Sequence, residues 1–351
     1  MGFDDLDAVL ALLSGKETVK EKVWEMLLLS LDKEEWEYLS VRAREVAQAR
    51  FGKSVYVRAL VEISSYCRNN CRYCGLRCGN SGAVRYRLDM QQILDCCREA
   101  AALGFNTFVL QGGEDSRQSD EWLAGVVAAI KSEFPEKAVT LSVGERSSMG
   151  YALLRSAGAD RYLLRHETAD EAHYAFLHPQ TMSVANRKQC LYELKRLGYQ
   201  VGSGIMVGSP GQGVRHLVAD LMFLDELQPQ MIGIGPFIPA TGTPFAGEEK
   251  GSVEMTLRLI TLLRLRFPNA LIPATTALAT LCDGGTERGI LAGANVVMPN
   301  VTPLDLRDKY TIYDNKKSNG SESVEQLSLL EEKLRGIGYH IDYGRGDYKG
   351  L

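Results

Sequence analysis

From Val55 to about residue 300 the chain repeats one pattern, a short apolar or alternating run followed by an amphipathic stretch of helical period. The strand candidates are 55–64, 106–111, 138–143, 160–167, 200–206, 230–235, 270–274 and 294–299. The helical stretches between them are 89–103, 119–133, 148–157, 184–197, 213–227, 252–267 and 284–292. Gly104, Gly158, Gly198 and Gly293 fall just before the next strand, where helix C-caps belong. Eight strands with seven intervening helices predict an α/β fold, a complete parallel (β/α)8 TIM-type barrel, in preference to an open doubly wound sheet. The division expected is a helical extension over 1–52, the barrel over 53–314, and a tail over 315–351. The tail is polar from Asp314 to Ser323, then helical from about Val324 to Arg335, and it is expected to pack on the barrel.

Strand parity says what fills that barrel. Arg58, Glu62 and Ser64 share one face of their strand, Thr140 and Ser142 another, and Arg161, Leu163, Arg165 and Glu167 a third. Burying such groups without partners is unfavourable, so a hydrated or ligand-filled interior is expected. The alternative, that these faces look outward, conflicts with the helices that cover parallel strands.

Composition removes several function classes. A net charge of −4 argues against a nucleic-acid partner. The N-terminus, Met1-Gly2-Phe3-Asp4-Asp5, is acidic where a secretory signal needs basic residues, and no apolar run approaches membrane length. Eight cysteines without a secretion signal point to a reducing cytoplasm.

Three of those cysteines, Cys67, Cys71 and Cys74, follow the first strand in the run Ser65-Tyr66-Cys67-Arg68-Asn69-Asn70-Cys71-Arg72-Tyr73-Cys74-Gly75. The spacing arises by chance about 0.004 times per chain of this composition. Three thiolates on one loop can hold three corners of an iron–sulfur cubane and leave the fourth iron open for chemistry. A zinc site would show a second paired group, and none follows. Cys96, Cys97, Cys190 and Cys282 read as reduced core residues, and Cys78 as a bystander near the loop.

The C-x3-C-x2-C loop, followed at the next strand end by Gln111-Gly112-Gly113-Glu114-Asp115, resembles the radical S-adenosylmethionine (radical SAM) superfamily. An oxygen-labile cluster would then suit an anaerobic or microaerobic cell. From Cys67 to about Tyr313 the chain resembles the biotin-synthase-related group, and most closely the HydE family of [FeFe]-hydrogenase maturases. The matching stretches include Val109–Asp115, Ala159–Thr168, Met206–Gln212, Ile232–Pro239, Ile272–Ala277 and Gly293–Asn300.

The resemblance implies that Cys67, Cys71 and Cys74 ligate one [4Fe–4S] cluster and that the cofactor is S-adenosyl-L-methionine. It places Tyr73 beside the adenine, Gly112, Gly113 and Glu114 on the methionyl ammonium, and Arg187 on the methionyl carboxylate. Glu167 would hold the ribose, and Ser142, Met206 and Ile238 would line the nucleoside. Deeper in the barrel, Thr140, Arg165, Met231, Thr275, Thr276, Met298, Tyr310 and Tyr313 would form the substrate cavity; His166, of opposite parity, reads as structural. The implied activity is reductive cleavage of SAM to a 5′-deoxyadenosyl radical that acts on a cysteine-bound iron carbonyl cyanide precursor of the H-cluster. The implied partners are the maturases HydG and HydF and a low-potential electron donor. One departure is that no cysteine follows Cys282, so the second C-terminal cluster of some HydE proteins is not expected. A methylornithine synthase-like mutase and a non-enzymatic iron–sulfur carrier are the alternatives.

Overall fold

The computed structural model describes residues 3–316 and 324–350. Met1 and Gly2 of the acidic N-terminus, and residues 317–323 of the polar stretch, lie outside the described residues. Three helices come first, Phe3–Ser14, Glu21–Leu29 and Lys33–Phe51. The third starts on a capping box in which Asp32 accepts from the Glu35 N–H and Glu35 returns the bond. Arg266, on the barrel helix Val253–Arg266, donates to Asp225 at 2.6 Å and to the carbonyls of Leu13, Gly15 and Glu17. Those bonds fasten the extension to the barrel helices.

Six strands form one parallel sheet in the order Ala59–Ser64, Thr107–Gly112, Ala138–Ser142, Arg161–Leu163, Gln200–Ser203 and Met231–Ile232. The pairing continues through isolated parallel bridges, Met231 to Leu271 and Pro273 to Val296. The short strand Val296–Val297 then pairs with Ser54–Val57, which leads directly into the first strand of the sheet. The helices sit where periodicity puts them: Met90–Ala102, Asp120–Glu133, Val184–Arg196 and Val214–Leu227 each lie within two residues of expectation.

Three features differ from the sequence reading. The strand expected over 160–167 is regular only over Arg161–Leu163, because Glu167 turns into positive φ (63°) and breaks the pleat. Two short helices, Glu171–Leu177 and Thr276–Leu281, stand where loops were expected. The tail carries the helix Leu327–Gly336 as expected, and then adds a strand, His340–Asp342, parallel to Ser54–Val57. No helix among the described residues is long and apolar enough to cross a membrane.

The last residues close the floor of the sheet's interior and account for much of its polarity. Arg161, fully buried, pairs with Asp347 at 2.6 Å and donates to the Arg345 carbonyl and to Thr107. Arg58 donates to the Gly346 carbonyl and to the Met231 sulfur, 3.2 Å away. Both arginines draw partners from the protein's own tail, so a hydrated or ligand-filled interior is not the whole account of the polar inward faces, and the Nε of each is left without a hydrogen bond. Val109, Thr140 and Arg161 run in register across three strands, as do Leu163, Gly202 and Met231. The cysteine loop follows directly on the C-terminal end of Ala59–Ser64, at the opposite end of the strands from this tail.

Candidate active site

The cysteine loop is built by backbone bonds. Arg85 donates to the carbonyls of Ser65, Leu76, Arg77 and Asn80, gathering both limbs of the loop around one guanidinium. The Gly75 N–H donates to Ile312, and a side chain at Gly75 would put Cβ 2.0 Å from the Thr311 oxygen. Arg72 N–H donates to Leu177 and Arg68 N–H to Glu114. All three thiols are free and half-buried.

Burial pushes each of these thiols up. Cys74 rises to about 12, with the charge on Cys67 adding to the effect. Cys71 is raised by burial and by Cys74 and Cys67, against the pull of Arg187. The thiols thus sense one another, with Arg187 opposing the rise at Cys71 and Arg85 at Cys74. No three His, Cys, Asp or Glu side chains among the described residues converge on a single-ion site. A cubane gives each thiolate its own iron, so three thiols on one loop can each take one corner. The donor set fits an iron–sulfur cluster with one iron lacking a protein ligand.

Gly112 ends the second strand of the sheet, and Gly113 packs onto the cysteine loop. A Cβ at Gly113 would lie 2.3 Å from the Tyr66 oxygen and 2.7 Å from Cys67 Cβ, so only glycine permits this contact. Glu114 is buried and its carboxylate is already engaged, accepting from Arg68 at 3.1 Å and from the Glu145 N–H at 2.9 Å.

Glu145, at the end of the Ala138–Ser142 strand, did not stand out in the sequence. It faces Arg187 with Nε and Oε1 2.6 Å apart. Burial works against the Arg187 charge, but Tyr174 and Glu145 outweigh it and hold its pKa above the usual arginine value. Arg187 is therefore a buried cation with one carboxylate partner. The signal for Glu145 was its place just past a strand end in Val143-Gly144-Glu145, where barrel sites gather.

Arg165 and Glu167 lie on one face, as parity requires, and approach to 2.9 Å. Arg165 also donates to the Ile205 carbonyl. Glu167 is one of the few non-glycine residues at positive φ, and its backbone bridges to Ile205. Holding a glutamate there costs on the order of 1 kcal/mol or more, and such strain tends to sit at functional positions.

Tyr73 packs with Leu177, Met206, Phe237 and Phe245, and its hydroxyl meets His178 Nε2 at 3.1 Å. Ile238 is buried next to this cluster in sequence, and half-buried Ser142 sits in register with Gln111.

The substrate-cavity candidates divide. Three buried polar atoms on Thr140, Arg165 and Thr275 have no hydrogen-bond partner, Oγ1, Nε and Oγ1 respectively, while Glu167 Oε2 meets the Arg165 guanidinium. Thr275 is the N-cap of the helix Thr276–Leu281 but does not use its hydroxyl to cap it. Such orphaned groups are uncommon in folded proteins and mark positions where a ligand's polar atoms would be held. Met231 and Met298 instead join an apolar cluster with Leu271 and Val296 near the floor. Tyr310 is buried with its hydroxyl on Gln111, and Tyr313 is half-buried beside a cavity of about 220 Å³ that Tyr310 and Lys316 also line. Lys316 reaches the fully buried Glu62, whose other oxygen accepts from Asn300. Nothing local in the sequence links those two residues. Cys96, Cys97 and Cys190 are buried as expected, His166 is buried against Ser203, and Cys78 is exposed. Cys282 corrects its assignment to the core: it is half-buried and accepts from Arg288.

The Radical SAM superfamily profile matches residues 61–224. The chain is 44% identical over 308 residues to the [FeFe] hydrogenase maturase subunit HydE of Thermotoga maritima, covering 88% of this chain and 87% of that one. It is 30% identical over 314 residues to 3-methylornithine synthase of Methanosarcina acetivorans, covering 89% and 87%. A crystal structure of methylornithine synthase superposes with a TM-score of 0.82 at 27% identity, covering 96% of this chain and 98% of that one.

Proposed function

We propose, from the premise that this chain belongs to the HydE family within the radical SAM superfamily, that it matures [FeFe]-hydrogenase by acting on a cysteine-bound iron carbonyl cyanide precursor. It is a radical SAM enzyme, and the family's cofactors are a [4Fe–4S] cluster and S-adenosylmethionine. Bound together, these supply reductive cleavage of the sulfonium and a 5′-deoxyadenosyl radical. The observation that carries the reading is the contact of Gly113 with Cys67, which brings the three-thiol loop against the Gly-Gly-Glu turn.

In this reading Cys67, Cys71 and Cys74 hold the cluster. Arg187 exchanges Glu145 for the methionyl carboxylate, a planar partner that suits guanidinium. The backbone at Gly112 and Gly113, with Glu114, receives the ammonium. Glu167 takes the ribose hydroxyls, and Tyr73, Ser142, Met206 and Ile238 enclose the nucleoside and exclude water. Arg165, Thr140 and Thr275 offer their orphaned atoms to the anionic and cyanide ends of the substrate, with Thr276, Tyr310 and Tyr313 around it and Met231 and Met298 below. We read the circuit of strands and isolated bridges as a closed (β/α)8 barrel over 53–314, flanked by the 1–52 extension and the 315–351 tail. The setting proposed is a cytoplasm that also supplies HydG, HydF and a low-potential electron donor.

The 30% identity to a methylornithine synthase supports a second reading, a mutase acting on an amino acid. One experiment separates the two. Reconstituted protein replaces HydE in an in vitro maturation with HydG, HydF and apo-hydrogenase, and in parallel receives lysine. Hydrogenase activity that depends on this chain and on SAM is the expected result. Methylornithine from lysine, with no hydrogenase activity, would replace the maturase reading with the mutase.

A further inference from the structure

Tyr174 lies on the helix Glu171–Leu177, one turn before His178, whose Nε2 meets the Tyr73 hydroxyl. Tyr174 is 1% exposed, yet its own hydroxyl has no hydrogen-bond partner among the described residues. A buried phenol normally finds one. The ring is also held in place. His178 stacks on it with centroids 3.9 Å apart and planes 16° from parallel, and the His178 Nδ1 lies 3.0 Å from the Tyr174 carbonyl. That carbonyl can only accept, so Nδ1 carries the imidazole proton and Nε2 accepts from Tyr73. Contacts therefore run without a break from the cysteine loop through Tyr73 and His178 to Tyr174.

The neighbours of that phenol are the groups that the radical SAM reading gives to the cofactor. The helix packs on Val184–Arg196, which carries Arg187. Burial pushes the phenol up, the Arg187 guanidinium draws it down, and Glu145, Cys71 and Glu167 push it up again. The hydroxyl thus keeps its proton, and it lies within electrostatic reach of all four. Glu145, the carboxylate now on Arg187, accepts from Arg187 and Asn186 and not from Tyr174. A donor hydroxyl beside a buried guanidinium is completed by an anion with several acceptor lone pairs, and a carboxylate is such a group.

We propose that the Tyr174 hydroxyl is a second donor to the methionyl carboxylate of S-adenosylmethionine, beside Arg187. The proposal rests on the radical SAM reading and adds to it a residue from a helix that no sequence motif marks. No bond is made or broken at Tyr174, and its proton stays on the phenol.

The test uses reconstituted holoenzyme and two ligands, SAM and its decarboxylated analogue, which keeps the sulfonium, the amine and the nucleoside. Tyr174→Phe removes the hydroxyl and keeps the ring against His178. Calorimetric affinity for SAM is expected to fall about tenfold in this variant, the value of one charge-assisted hydrogen bond. Affinity for the decarboxylated analogue is expected to stay the same. The melting temperature without ligand should be unchanged or raised, because the variant removes an unpaired buried hydroxyl. Arg187→Lys, run in parallel, tests the reading itself and should weaken SAM binding by losing the planar fork. SAM affinity unchanged in Tyr174→Phe but lowered in Arg187→Lys would overturn the proposal and leave the reading in place. An equal loss for both ligands in Tyr174→Phe would make Tyr174 a packing residue and overturn it. A lowered melting temperature would do the same, by showing that the hydroxyl already has a partner in the fold. SAM affinity unchanged in both variants would remove the carboxylate from this wall, and the placement of SAM would fail together with the proposal.

Discussion

Glu167 concentrates the site's physics in one residue: a carboxylate at positive φ whose Oε2 lies 2.9 Å from the Arg165 guanidinium. If it holds the ribose, Glu167→Gln weakens SAM binding by about one to two powers of ten, the value of a charge-assisted hydrogen bond. Thermal unfolding should shift little, because Arg165 is 30% exposed and keeps its bond to Ile205. Glu167→Gly should lose SAM affinity equally while relieving the backbone, so it should be no less stable than the glutamine variant. Calorimetric SAM titration with parallel melting curves checks both. Two arginines on the same face separate function from stability. Arg161→Ala removes a fully buried guanidinium from Asp347, Thr107 and the Arg345 carbonyl, and, because Asp347 is 36% exposed and keeps Arg345 and Gln200, should cost about 1–3 kcal/mol by denaturant titration. Arg165→Ala should cost far less, and should remove any substrate-induced acceleration of SAM cleavage while sparing the background rate.

At the scale of elements, the helix Glu171–Leu177 and its C-cap His178 tie the cysteine loop to the strand ends, through Tyr73 and through Leu177. Burial, aided by the Arg187 charge, pushes His178 down to about 3. The folded value lies below the unfolded one, near 6.5, so the folded state gains from neutral His178 above pH 6.5. That gain is lost progressively as pH falls from 6.5 towards 3. The protein should therefore lose stability, on the order of a few kcal/mol, across that window. His178→Gln should flatten the slope there in denaturant titrations at stepped pH; an unchanged slope would show that other groups carry the acid sensitivity. This helix was not legible in the sequence, since its seven residues are too few to establish a period and follow directly on a strand pattern. The strand His340–Asp342 escaped for a different reason: its partner Ser54–Val57 lies at the far end of the chain, and nothing local marks the pairing.

For the whole molecule, alternation was legible because each helix and strand carries its own period. Apart from Glu171–Leu177 and Thr276–Leu281, the helices from Met90 to Leu291 fall where periodicity sets them. The later strands are shorter than expected, since Gly233, Gly235 and the prolines Pro236, Pro239 and Pro273 interrupt regular pairing there. Parity correctly put Arg165 and Glu167 on one face, and it flagged Arg58, Glu62 and Arg161 as inward. It could not say what satisfies them. Asp347 lies 186 residues from Arg161, and Lys316 lies 254 from Glu62, so those partners exist only in the fold. The cysteine loop was legible by spacing alone, while its Arg187–Glu145 neighbourhood had to be assembled by the sheet.

The central claim is that three thiols on one loop hold a single SAM-cleaving cluster, and one measurement addresses it. The anaerobically reconstituted protein is analysed for iron, then reduced with dithionite in the presence of SAM while methionine and 5′-deoxyadenosine are quantified. The account predicts about four irons per chain and the two products in equal amounts, both lost in Cys71→Ala and both retained in Cys282→Ala. About eight irons per chain, or intact SAM in the presence of a fully reduced cluster, would contradict it.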